Sequence, residues 1–145
     1  MHKDQAENFS RVFHSILNVV HIERPSYWSE KLNGLTTIEF YILRFTAEHP
    51  DMVLKDFRDY YKIPHTTLTG VINRLEKKKL VQRIINKRDH RSFGLELTEK
   101  GKIIEQEHFN VDIMVSKKVL DTLDNEEEKE TLIKLLEKIV SRIDK

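Results

Sequence analysis

The chain has 145 residues, with 25 Lys+Arg against 24 Asp+Glu, a net charge of +1 and 39% hydrophobic residues. That is one domain's length, balanced and apolar enough to bury a core, which excludes a disordered chain. With no cysteine, a disulfide scaffold, a thiolate zinc site, a cysteine nucleophile and a thiol-oxidation sensor are excluded too.

No stretch approaches the roughly 18 uninterrupted apolar residues of a membrane span. The first residues, Met1-His2-Lys3-Asp4-Gln5, lack the apolar stretch of a signal peptide. A soluble, cytoplasmic protein without membrane contact is expected. Four glycines and three prolines point to a mostly helical chain.

From about Gln5 to Arg24, the residues Phe9, Val12, Phe13, Ile16, Leu17 and Val20 fall on one helical stripe, which Pro25 ends. Thr36-x-x-Glu39 is a capping box, with Leu35 and Phe40 at the positions of a hydrophobic staple. The helix it starts is expected to turn Phe40, Leu43 and Ala47 inward and to stop before Pro50. Leu54 to Tyr61 reads as a short helix, with Leu54, Phe57, Tyr60 and Tyr61 at helical spacing. Ile63-Pro64 opens the next helix, which runs to about Lys78. The few residues between the two make a helix-turn-helix pattern.

The period then changes. Leu80–Ile85 is β-prone, and Phe93, Leu95 and Leu97 alternate with Ser92, Gly94 and Glu96; these are the arms of a hairpin. Its tip is Asn86-Lys87-Arg88-Asp89-His90-Arg91. Thr98 caps a long helix from Glu99 to about Leu120, and Asp124-x-x-Glu127 starts the last one. In that helix Leu132, Leu135, Leu136, Ile139, Val140 and Ile143 form an apolar seam. The seam and the first helix predict a partner, most simply a second copy.

The near-neutral total hides an asymmetry. Residues 62–91 contain nine cations and two acids, a local charge of +7, and a local field attracts phosphate whatever the total. On the helix after Pro64, Leu68, Val71, Ile72 and Leu75 share one side. The opposite side carries Thr66, Thr69, Gly70, Asn73, Arg74 and Lys77, with Thr67 at its margin, and holds no acid. Hydroxyls and Asn suit base edges, Asn pairing with adenine N6/N7 and Arg with guanine O6/N7; Lys77 is better placed for phosphate. In the hairpin tip Lys87, Arg88 and Arg91 are candidates for the minor groove and its phosphates. Asp89 is expected to orient Arg91 through a carboxylate–guanidinium pair.

These residues resemble the MarR family of transcriptional regulators. The resemblance rests on Leu35-Thr36-x-x-Glu39-Phe40, on Ile63 to Lys77, on Leu80-Val81-x-Arg83, on Asp89-x-Arg91 and on Leu97-Thr98-Glu99-Lys100-Gly101. It implies a mainly α fold with a small β-hairpin. A winged helix-turn-helix over 33–98 would be flanked by dimerisation helices over 1–32 and 99–145, all in a single MarR-like chain of residues 1–145. It also implies a homodimer on double-stranded DNA at a pseudo-palindromic operator, repressing transcription and released by a small-molecule effector. The family's reading contacts map onto Thr66, Thr67, Thr69, Asn73 and Arg74, its wing arginine onto Arg91 and its orienting carboxylate onto Asp89. The family's effector pocket would lie near Tyr27, Trp28, Phe40 and Tyr41, although aromatics at helical spacing are more often core. Three positions depart from the pattern: Lys62 and Lys79 replace turn glycines, and Arg58 stands where a small residue is usual.

Two alternatives remain open at this stage. His14 and His21, or Glu105, His108 and Asp112, are spaced to hold a metal in a metal-responsive regulator. A winged helix used only for protein contacts is the other. The chain has no Gly-rich phosphate loop and no Ser/His/Asp set at recognisable spacing, so neither an enzyme nor a resident cofactor is expected.

Overall fold

A computed structural model of the chain describes residues 3–85 and 93–143. It contains six α-helices and one antiparallel hairpin in the order α1 Lys3–Val20, α2 Thr37–Glu48, α3 Leu54–Tyr61, α4 His65–Lys77, β1 Val81–Ile85, β2 Phe93–Leu97, α5 Glu99–Leu120 and α6 Glu126–Arg142. Two short 3-10 turns, Pro25–Tyr27 and Glu30–Leu32, link α1 to α2. The chain divides into two compact units, Met1–Val111 and Asp112–Lys145. Among the described residues no helix is long and apolar enough to cross a membrane.

In the first unit the elements start where the local chemistry requires. The backbone N–H of Glu39 donates to Thr36 Oγ1 at 3.3 Å, and the Thr36 N–H donates to Glu39 Oε2 at 3.2 Å. Two of the helix's orphan donors are thereby satisfied. Thr98 plays a parallel part at α5, accepting from the Gly101 N–H at 3.0 Å while its own hydroxyl donates to the Lys79 carbonyl at 2.6 Å. The start of α5 is thus tied to the corner between α4 and β1.

The core is built from α2, α3, α4 and the hairpin. Ile42, Leu43, Phe57, Ile72, Leu75 and Leu95 belong to one buried cluster, and each fully buried aliphatic or aromatic side chain contributes about 1.5–3 kcal/mol. All four residues expected on the core side of α4 are buried. Strands β1 and β2 pair in the register Val81↔Leu97 to Ile85↔Phe93. A further bridge joins Val53 to Gly94, which ties the start of β2 to the residue before α3. A side chain at Gly94 would put its Cβ 3.2 Å from the Met52 carbonyl oxygen, so glycine lets these backbones approach.

Several local expectations need correction. Helix α1 ends at Val20 rather than Arg24, because His21 turns left-handed at φ 48°. The indole of Trp28 then donates to the Val20 carbonyl at 3.0 Å. Ala47, expected inward, is exposed. The cap of α6 is Asn125, not Asp124: the Asn125 side-chain oxygen accepts from the Glu128 N–H at 3.0 Å, while Glu128 accepts from the Asp124 N–H at 2.9 Å. The frame moves by one residue because Asn is as strong a cap as Asp.

The two lysines in place of turn glycines keep the glycine conformation. Lys62 has φ 52° and Lys79 φ 61°. After α4, the Lys79 N–H donates to the Glu76 carbonyl at 2.9 Å and the Leu80 N–H to the Leu75 carbonyl at 3.0 Å. This is the complete left-handed helix stop, with buried Leu75 and Leu80 at its apolar positions. Tertiary packing therefore imposes a conformation that costs a non-glycine residue roughly 1–2 kcal/mol.

Candidate nucleic-acid interface

Helix α4 carries the predicted reading face. Thr66, Thr67, Asn73, Arg74 and Lys77 are exposed, and Thr69 and Gly70 are half-buried. The Thr69 hydroxyl donates to the His65 carbonyl one turn back at 2.9 Å. A Cβ at Gly70 would meet only Arg74 Nη1 at 3.8 Å, so the fold itself does not demand glycine there. The predicted wing residues Lys87, Arg88, Asp89 and Arg91 lie outside the described residues.

Two polar nodes hold the far end of this face, and neither was assigned from the sequence. The first is Glu39, whose side chain is fully buried. Arg74 Nε donates to its Oε1 at 3.1 Å and Lys78 Nζ to its Oε2 at 2.8 Å. Lys78 also donates to the Gly34 carbonyl at 2.7 Å. Burial pushes the Glu39 carboxyl up. The hydrogen bonds from Lys78, the Thr36 N–H and Arg74 outweigh that and hold it below its ordinary value. One carboxylate thus caps α2 and anchors two cations that lie one turn apart on α4. That spacing was the available signal: a capping acid that becomes buried needs cations, and Arg74 and Lys78 are an i, i+4 pair.

The second node centres on Arg83 of β1. Its Nε lies 3.2 Å from Glu76 Oε1 and its Nη2 donates to Asn73 Oδ1 at 2.9 Å. Glu76 is the only acid in α4, and this contact neutralises it. The outward stripe of α4 is therefore hydroxyls, an amide and cations.

A third ion pair, Arg44 with Glu105, joins α2 to α5 at 2.5 Å, and the Arg44 guanidinium lies 4.8 Å from the centre of the Phe109 ring. Nearby is an open groove of about 410 Å³ lined by Thr46, Ala47, Leu95, Glu96, Lys102 and Glu105 among others. Tyr27, Trp28, Phe40 and Tyr41 are not in its lining. Phe40 is buried, its ring stacked on His108 at 4.2 Å; Tyr41 stacks on Tyr61 at 5.4 Å and Tyr27 on His21 at 3.8 Å.

The candidate metal ligands are occupied otherwise. Glu105 holds Arg44, and the His14 ring Nδ1 lies 2.7 Å from the Ser10 carbonyl. Among the described residues no group of three His, Cys, Asp or Glu comes together to hold a metal ion.

The helix pair α3–α4, the hairpin and the flanking long helices define a winged helix-turn-helix protein. Solved structures share this fold: FabT of Streptococcus pneumoniae in complex with DNA matches with a TM-score of 0.79 at 23% identity, over 96% of this chain and 94% of that one. The S. aureus MepR–DNA complex matches with a TM-score of 0.73 at 20% identity, over 93% and 98% of the two chains. The sequence model of the MarR family matches residues 33–92, so this stretch is similar to that family. Among curated relatives, the transcriptional regulator FarR of Neisseria gonorrhoeae is 33% identical over 74 residues, 51% of each chain. The chain spans about half the length of the first curated relatives it matches.

Proposed function

We propose that the chain is a sequence-specific DNA-binding transcriptional regulator of the repressor type, acting in the cytoplasm. In this reading it works as a homodimer on a pseudo-palindromic operator, with α4 in the major groove and the hairpin tip along the minor groove. Residues 33–98 form the reading head, and residues 1–32 and 99–145 supply the dimer. The DNA contacts are assigned to Thr66, Thr67, Thr69, Asn73, Arg74 and Lys77 on α4 and to Lys87, Arg88 and Arg91 in the tip, with Asp89 orienting Arg91.

The observation that carries this reading is the outward stripe of α4, whose one acid is neutralised by Arg83. Such a stripe is attractive to phosphate and equipped for base edges. Relatives named as repressors, among them MdtR of Bacillus subtilis, and structural neighbours in complex with DNA support it. The dimer is supported by apolar residues left exposed on α1 (Phe9, Phe13, Ile16) and on α6 (Leu135, Leu136, Ile139). A small-molecule effector releasing the DNA remains part of the reading, and the groove beside Glu105 is large enough for one.

Selection of bound fragments from a pool of genomic DNA tests the proposal. Recovery of a few fragments sharing an inverted repeat is expected. Recovery of all fragments in proportion to their input would contradict it and would favour a winged helix that serves protein contacts only.

A further inference from the structure

We infer that Arg83 is a specificity-determining residue of the reading head, acting as a positioning residue that makes Asn73 read DNA as a hydrogen-bond donor. The inference rests on the DNA-reading function proposed above and specifies what one position of the operator must offer.

An Asn side chain can present an oxygen, an amino group or both. A guanidinium has donors only. The 2.9 Å contact between Arg83 Nη2 and Asn73 therefore fixes the amide with its oxygen toward β1. Arg83 is in turn held by Glu76, whose Oε1 lies 3.2 Å from its Nε. Both partners are about two-thirds buried at their side chains, 35% and 33% exposed, so the pair is screened less than a surface ion pair. Asn73 itself is exposed on the outward stripe. With the oxygen anchored on the strand, the amino group is left to lead toward the groove.

The bidentate adenine contact, expected from residue type alone, needs the oxygen and the amino group presented together to one base. A leading amino group selects differently. Guanine offers two major-groove acceptors, O6 and N7; adenine offers N7 and thymine O4. Cytosine offers only its N4 amino group there, a donor facing a donor. Asn73 thus ranks guanine first, tolerates adenine and thymine, and rejects cytosine.

The test is selection from a pool of randomised duplexes with the full chain, as wild type, Arg83→Met and Asn73→Asp, each with a thermal melt. In the wild type, one position per half-site is expected to favour guanine and to deplete cytosine about tenfold. In Arg83→Met the amide is released, and that position should move to adenine while the others stay as they were. Asn73→Asp keeps Arg83 and presents an oxygen instead, so cytosine should become enriched there, which carries the test if Arg83→Met fails to fold. An adenine position in the wild type that Arg83→Met leaves unchanged would overturn the inference. So would an Arg83→Met chain that loses affinity equally for every sequence, the behaviour of a phosphate contact. Enrichment of no sequence by the wild type would overturn the DNA-reading function itself, and the inference with it.

Discussion

Helices α4 and α6 are both amphipathic, yet only one of them finds cover for its apolar side within its own unit. Leu68, Val71, Ile72 and Leu75 of α4 are buried; Arg74 and the C-cap residue Lys78 are bound to Glu39, and the helix's one acid, Glu76, is held by Arg83 of β1. None of the residues of α6 is buried. Leu135 is 53% exposed and Val140 65%, and ion pairs such as Lys134 with Glu130 are local and solvent-exposed. Pairs of that kind contribute little. The core around α4 is thus closed by its own chain, whereas the apolar side of α6 is exposed; in the proposed function a second copy covers it.

The sharpest way to break this comparison is to place charge on the open seam. The double substitution Leu136→Glu, Ile139→Glu should remove about 8 kcal/mol of association, four apolar side chains' worth, two from each protomer. Sedimentation velocity should then report lone protomers where the wild type sediments as a dimer. An unchanged sedimentation coefficient would show that this seam is not the dimer face.

The closed head should be sensitive to single atoms. A Cβ at Gly101 would stand 1.9 Å from the Leu80 carbonyl oxygen, a backbone atom rather than a flexible side chain that could yield. Gly101→Ala is expected to cost about 3 kcal/mol, read as a lowered midpoint in urea unfolding. Glu39→Gln should cost about 2 kcal/mol, less than a fully buried pair because Arg74 and Lys78 can return to water.

This substitution also has a pH signature. The Glu39 carboxyl lies below its ordinary value of 4.5 when folded, so its contribution is complete above that value. It is lost as pH falls through the lower, folded value. Glu39→Gln should flatten this acid limb and leave the stability curve above neutrality unchanged in shape.

The smallest effect is a gain. Lys79 sits at φ 61° in a stop that glycine enters freely, so Lys79→Gly should stabilise the head by about 0.5–1 kcal/mol, the left-handed strain relieved less the added unfolded-state freedom. A loss of stability would mean that Lys79 makes contacts that outweigh its backbone strain.

Much of the head was legible in the sequence because its signals are local. Thr36 and Glu39 announce the start of α2, the period-3.6 run through Leu75 defines the buried side of α4, and the alternation around Leu95 marks a strand. What was hidden depends on residues far apart in the chain meeting. Glu39 read as a capping residue only, since nothing local says that a residue 35 positions on will donate to the same carboxylate. Arg83 read as a motif residue and one more cation, with nothing local to say that it would donate to Asn73. The lysines at 62 and 79 read as departures from a glycine pattern, whereas packing on both sides of each corner keeps the glycine conformation. Gly101 appeared as part of a motif; its cause, the Leu80 carbonyl at its Cα, is visible only in three dimensions.

In the proposed function an acid-neutralised stripe on α4 carries this chain onto DNA as a two-fold assembly. The salt dependence of binding to a selected operator fragment tests it most directly. A dimer touching about 8 phosphates should show log Kd rising with log salt at a slope near 7. A slope near zero would mean that no phosphates are being neutralised, and would contradict the account.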